Sequence, residues 1–164
     1  MTSADARVVG LSVVLSSVFK LRHHEAAREL LLGPGLLLAP DAFSFLLLQR
    51  MDEFLRKSGL SEKEQREAGP VILSKVRSLN IELVPSAFLA EPCGGVPLLE
   101  FSFQLWREDG LDIPNAIFLA TAIARDVPLV TANRKLYSKV QGKRATLGRY
   151  ARLIHWIEEG NEPA

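Results

Sequence analysis

Two hydrophobic rhythms alternate along the chain. Short apolar runs at residues 7–10, 36–38, 81–84 and 127–130 are too brief for helices and read as strands. Between them, apolar residues recur every three to four positions over 23–32, 41–59, 61–79, 98–108 and 112–125, the spacing of amphipathic helices. Strands separated by helical stretches predict an α/β domain with a mainly parallel sheet. The first strand is expected to pass into a serine-rich turn and an apolar segment, and residues 150–156 to add a final strand. Residues 90–97, AEPCGGVP, read as the clearest loop.

The stretch from 111 to 136, LDIPNAIFLATAIARDVPLVTANRKL, is the most legible. Asp112 suits the N-cap of a helix, and Pro114 fits the first turn, where its missing N–H is not needed. Ile113, Ala116, Ile117, Ala120 and Ile123 or Ala124 then recur at helical spacing. Val127, Leu129 and Val130 form a buried parallel strand, and Thr131-Ala132-Asn133 follows at its carboxyl end, where open α/β sheets place their ligands. Ser61 with Glu64 has the form of a capping box.

Composition narrows the classes. The 164 residues, 48% apolar and 24% charged, suit one soluble domain over 1–157 with a loose tail at 158–164. Twenty basic against nineteen acidic residues leave a net charge of +1, so the sum favours no partner class. The distribution is more telling: Arg134, Lys135, Lys139, Lys143, Arg144, Arg149 and Arg152 fall between Asp126 and Glu158 without an intervening acid. A solvated helix and a surface for phosphate or an acidic partner both account for that run. One cysteine, Cys93, excludes an internal disulfide and fits a cytoplasmic chain. The sequence shows no secretory signal and no run of about 18 apolar residues, so no membrane association is expected. Adjacent His23 and His24 would point about 100° apart on a helix and so do not form a chelating pair. Phe101, Phe103, Leu105 and Trp106 are expected in the core rather than on a base-stacking surface.

Asn115-Ala116-Ile117-Phe118-Leu119-Ala120 and Pro128-Leu129-Val130-Thr131-Ala132-Asn133 resemble two motifs of the PIN domain family, small α/β nucleases that include toxin ribonucleases of bacterial toxin–antitoxin pairs. The resemblance implies a three-layer α/β/α fold with a central, mainly parallel sheet. In the family an aspartate opens the first motif and another closes the second; here both are asparagines, Asn115 and Asn133. A further aspartate ends the first strand of the family, where Gly10 stands. A glutamate follows the second strand, where the count lands on Leu46, or on Phe45 with a slip of one.

Such nucleases need several carboxylates around Mg²⁺ or Mn²⁺, because a hard cation takes charged oxygen ligands and then activates water. Gly10, Leu46, Asn115 and Asn133 offer no charge, so the resemblance implies a catalytically degenerate module. Its expected partner is a protein or a nucleic acid, bound in part through Arg134, Lys135, Lys139, Lys143 and Arg144, with no metal cofactor. The alternative is a Mg- or Mn-dependent ribonuclease of the toxin type with a rearranged site that uses Asp112 and Asp41. The family also implies a homodimer, for which the apolar run 43–48 is one candidate surface.

Overall fold

In the computed structural model, residues 5–87, 89–90, 94–142 and 147–158 are described. The chain runs β1 (Ala6–Val9), α1 (Leu11–Val18), α2 (His24–Leu32), β2 (Leu36–Pro40), α3 (Phe43–Lys57), α4 (Glu62–Arg77) and β3 (Ile81–Val84). A small hairpin of β4 (Leu89–Ala90) and β5 (Val96–Pro97) precedes α5 (Leu98–Asp109), α6 (Ile113–Arg125), β6 (Leu129–Thr131) and α7 (Arg134–Gln141). A 3-10 turn over Gly148–Leu153 leads into β7 (Ile154–Trp156).

Five strands form one sheet in the order β3-β2-β1-β6-β7, and every pairing in it is parallel. The chain starts at the centre, moves outward through β2 to β3, then returns to lay β6 on the other side of β1. Right-handed crossovers therefore place α1 to α4 on one face and α5 to α7 on the other. The contacts agree, since α1 packs on α2, α3 and α4, while α5 packs on α6. This is a three-layer α/β domain whose strand order reverses between β1 and β6. Val8, Val9, Leu38, Leu129 and Ile154 are buried between the helical layers.

Local chemistry sets the elements. Asp112 caps α6 by accepting from the Asn115 N–H at 2.9 Å, and seven residues of α6 are buried, among them Ala116, Ala120 and Ala122. Small side chains let this helix lie close to the sheet. In α4 the Ser61–Glu64 capping box is formed, yet no residue of that helix is fully buried.

Four expectations fail. The segment after β1 is helix α1 rather than a serine-rich turn, because its serines find partners inside the fold: Ser16 Oγ donates to the Ser12 carbonyl at 2.7 Å. The ends of the 90–97 loop pair as an antiparallel hairpin, with Ala90 opposite Val96, and Cys93 lies outside the described residues. Only the end of the 150–156 segment is strand; the rest is a 3-10 turn. Phe103 and Trp106 are not core, being 54% and 39% exposed, because α5 turns Phe101 and Leu105 inward, and Phe103 and Trp106, whose rings pack on each other, outward.

His23 precedes α2 in a left-handed conformation rather than opening the helix, and the two rings take separate partners: His23 Nδ1 lies 2.5 Å from Glu158 Oε1, and His24 Nδ1 is 3.2 Å from the Leu21 carbonyl. Beyond Glu158 the tail lies outside the described residues. Among the described residues no helix is long and apolar enough to cross a membrane.

Candidate functional site

Where strand order reverses, the carboxyl ends of two neighbouring strands feed helices on opposite faces and leave a crevice between them. Such a crevice is present, a cleft of about 200 Å³ lined by Gly10 and Ser12 after β1, Thr131 and Asn133 after β6, Asp112 and Asn115 at the start of α6, and Arg50 and Phe54 of α3. Three of the four positions singled out by the family resemblance, Gly10, Asn115 and Asn133, thus meet in one place.

Their polar groups are largely engaged with one another. Asn115 donates from Nδ2 to Asp112 Oδ2 at 2.9 Å, and its backbone N–H donates to Oδ1 of the same carboxylate at 2.9 Å. Asn133 is the N-cap of α7, its Oδ1 accepting from the Leu136 N–H at 3.1 Å. Ser12 Oγ accepts from the Ala132 N–H at 3.0 Å and lies 3.3 Å from Thr131 Oγ1, which in turn accepts from the Asn133 N–H at 3.0 Å.

Gly10 is closed as well as uncharged. A Cβ built there would sit 2.9 Å from the Val130 carbonyl oxygen, a backbone atom that cannot swing away. Leu46 is buried in the core and is not part of the lining, whereas Phe45, the neighbouring register, is 76% exposed on the outside of α3. The side chain that enters the cleft from α3 is Arg50, one turn beyond Leu46.

Of the two residual acids, Asp112 lines the cleft but serves as the α6 cap. Asp41 does not reach it; its carboxylate accepts from the Ser86 N–H at 2.8 Å and the Ser86 hydroxyl at 3.0 Å, tying the end of β2 to the loop after β3. No three His, Cys, Asp or Glu side chains gather closely enough to hold a metal ion among the described residues. One carboxylate already bonded twice to Asn115, with neutral amides around it, does not fit the ligand set that Mg²⁺ or Mn²⁺ requires.

The basic run is also less uniform than its sequence suggests. Arg152 forms an ion pair with Asp126 at 3.0 Å, so the missing counter-charge comes from before β6. Arg149 lies over the Tyr150 ring, 4.7 Å from its centre. Lys139 donates to the Gly110 carbonyl, pinning α7 to the α5–α6 turn. Arg134 and Lys135 remain exposed in the first turn of α7, directly after the cleft residue Asn133. Lys143 and Arg144 lie outside the described residues.

Sequence reasoning missed Arg50 and Ser12, and it placed Thr131 at the strand end without giving its hydroxyl a role. For Arg50 a signal existed, since i and i+4 share a helix face, and the position after Leu46 on that face is Arg50.

No protein-family model and no curated protein matches this chain. Among solved structures it is similar to a crystal structure of VapBC2 from Rickettsia felis bound to a DNA fragment from their promoter. The two are 17% identical, with a TM-score of 0.46, over 92% of this chain and 98% of the other.

Proposed function

We propose that this chain is a PIN-like domain whose nuclease site has been emptied, and that it works as a non-catalytic module binding a partner protein or a nucleic acid. The observation that carries the reading is the cleft itself. Gly10, Asn115 and Asn133 meet at the sheet position where an α/β enzyme would hold its reactive groups, but their hydrogen bonds run to each other's neighbours and to helix ends. The exposed cations Arg134 and Lys135 at its rim supply a binding surface.

Calorimetry with Mn²⁺ tests the reading, run on the wild type beside Asn115→Asp/Asn133→Asp. The wild type is expected to bind no Mn²⁺, and the variant, with three carboxylates facing the cleft, to gain weak binding. Micromolar Mn²⁺ binding by the wild type together with cleavage of single-stranded RNA would overturn it. Under the same reading the chain pairs with itself through α3, where Phe45 and Leu48 stand exposed one turn apart. Sedimentation of Phe45→Glu against wild type decides that point, a monomeric variant from a dimeric wild type being the expected result.

A further inference from the structure

We infer that a second groove, on the α2 face of the sheet, is a binding site for a free α-amino acid with an apolar side chain. It shares no lining residue with the cleft and stands independently of the reading given to the cleft.

The topology makes the groove. Crossovers through α1 to α4 join β1 to β2 and β2 to β3, so none of them spans β7, which packs against α7 and the 3-10 turn on its other face. On the α2 side the sheet is left open, and a groove of about 300 Å³ lies there. Val9 pairs with Val130, and Val130 with His155. Because side chains alternate along a strand, Arg7, Val130, His155 and Ile157 then share one face. Val130 and Ile157 form an apolar floor, Leu30 of α2 walls it, and Asp5, Arg7 and His155 bring the polar groups. The volume stands at the lower bound of small-molecule sites, roughly 300–1,000 Å³, and suits a small ligand.

The charges select the ligand. Arg7 is half-buried, yet among the described residues its side chain has no hydrogen bond or ion pair, and the same holds for Asp5 and His155. A half-buried cation gives up hydration, and here no counter-charge of the described fold replaces it. Its guanidinium has room because Gly35 has no side chain: a Cβ there would lie 3.2 Å from Arg7 Nη2. The start of β1 thus offers a guanidinium fork and, two residues away, a carboxylate, unpaired with each other. That is the complement of a carboxylate and an ammonium carried on one carbon, the carboxylate being taken by the fork and the ammonium by Asp5. The ligand's side chain then lies on Val130 and Ile157 against Leu30. His155, two strand spacings or roughly 10 Å from β1, closes the far end. A simple organic anion would set its charge against Asp5, and an amine against Arg7; the zwitterion meets both.

Heteronuclear NMR titration with L-phenylalanine tests this, beside phenylpropanoate, which lacks the ammonium, and phenethylamine, which lacks the carboxylate. Phenylalanine should shift the amides of Arg7, Val130 and His155 with a millimolar dissociation constant, and each truncated analogue should bind about tenfold more weakly. Arg7→Gln should weaken phenylalanine binding about tenfold and remove its advantage over phenethylamine. Asp5→Asn should remove its advantage over phenylpropanoate. Arg56→Gln, whose side chain pairs with Asp52 on α3, should bind as wild type does. The dispersion of each variant's own spectrum separates lost binding from lost folding. The inference is overturned if phenylalanine shifts no amide of the groove, if phenylpropanoate binds as tightly as phenylalanine, or if Arg7→Gln binds like wild type. Shifts confined to Ser12, Asn115 and Asn133 would overturn it too, by placing the amino acid in the cleft.

Discussion

Helices α6 and α4 are of similar length, 13 and 16 residues, and are held in opposite ways. Seven residues of α6 are buried, and its first turn opens into the cleft. No residue of α4 is fully buried, and Pro70 sits inside it, where its ring removes one ladder hydrogen bond. What α4 has is local: a capping box and exposed pairs such as Arg66–Glu62 at 3.8 Å. The difference teaches where precision resides. Groups that must stay fixed to within a fraction of an ångström belong on a helix pinned by packing, and the polar residues of the cleft are on such elements.

The sharpest way to break this comparison is to truncate matched apolar residues. Leu119→Ala in α6, at a fully buried position, should cost about 2–5 kcal/mol in denaturant unfolding. Val71→Ala in α4, 56% exposed, should stay within about 0.5 kcal/mol. Equal losses would mean that α4 is packed as firmly as α6.

Next come two glycines. Gly10→Ala forces a Cβ against the Val130 carbonyl oxygen and should destabilise by about 1–3 kcal/mol. Gly69→Ala within α4, where an added Cβ meets nothing within 4 Å, should stabilise by about 0.5–1 kcal/mol. Thermal melts of the two variants should therefore shift in opposite directions.

Removing the α6 cap with Asp112→Ala should cost about 1 kcal/mol and loosen Asn115, seen as a shift of its amide resonances.

The smallest effect is one of pH. The Ser61 hydroxyl, and after it the Ser61 N–H, donate to the Glu64 carboxylate and hold it below the usual glutamate range. Because the folded value is lowered, the contribution is present above the unfolded pKa and is lost as pH falls through the lowered folded value. Amide protection factors at the start of α4, taken relative to intrinsic exchange at each pH, should fall on acidification, and Ser61→Ala should remove most of that dependence.

Much of the architecture was legible. Strands β2, β3 and β6 and the cap of α6 follow from apolar runs and from Asp112 and Pro114, because local sequence decides them. What escaped depends on contacts between distant parts. Helix α1 looked like a turn because serines favour turns, and only the fold shows Ser12 bonded 119 residues away, to Thr131. On α5, residues 98, 101 and 105 and residues 99, 103 and 106 form two equally good helical stripes; periodicity does not say which one the sheet covers. The Arg152–Asp126 pair joins residues 26 apart, so a charge count along the chain overstated the basic side. In the cleft, the positions of Gly10, Asn115 and Asn133 were readable, and the entry of Arg50 in place of Leu46 was signalled only by its place one turn further along the same helix face.

The Gly10 contact bears on reversibility. A single codon change places a carboxylate at 115 or 133, where space exists for a side chain of the same shape as the amide. At 10 the end of the first strand lies so close to β6 that no side chain fits without moving the Val130 carbonyl. A lineage carrying this cleft would have to separate two hydrogen-bonded strands before an acid there could help, and that intermediate is less stable with nothing gained. On the reading proposed above, the glycine acts as a ratchet: a path to a carboxylate cluster runs uphill first.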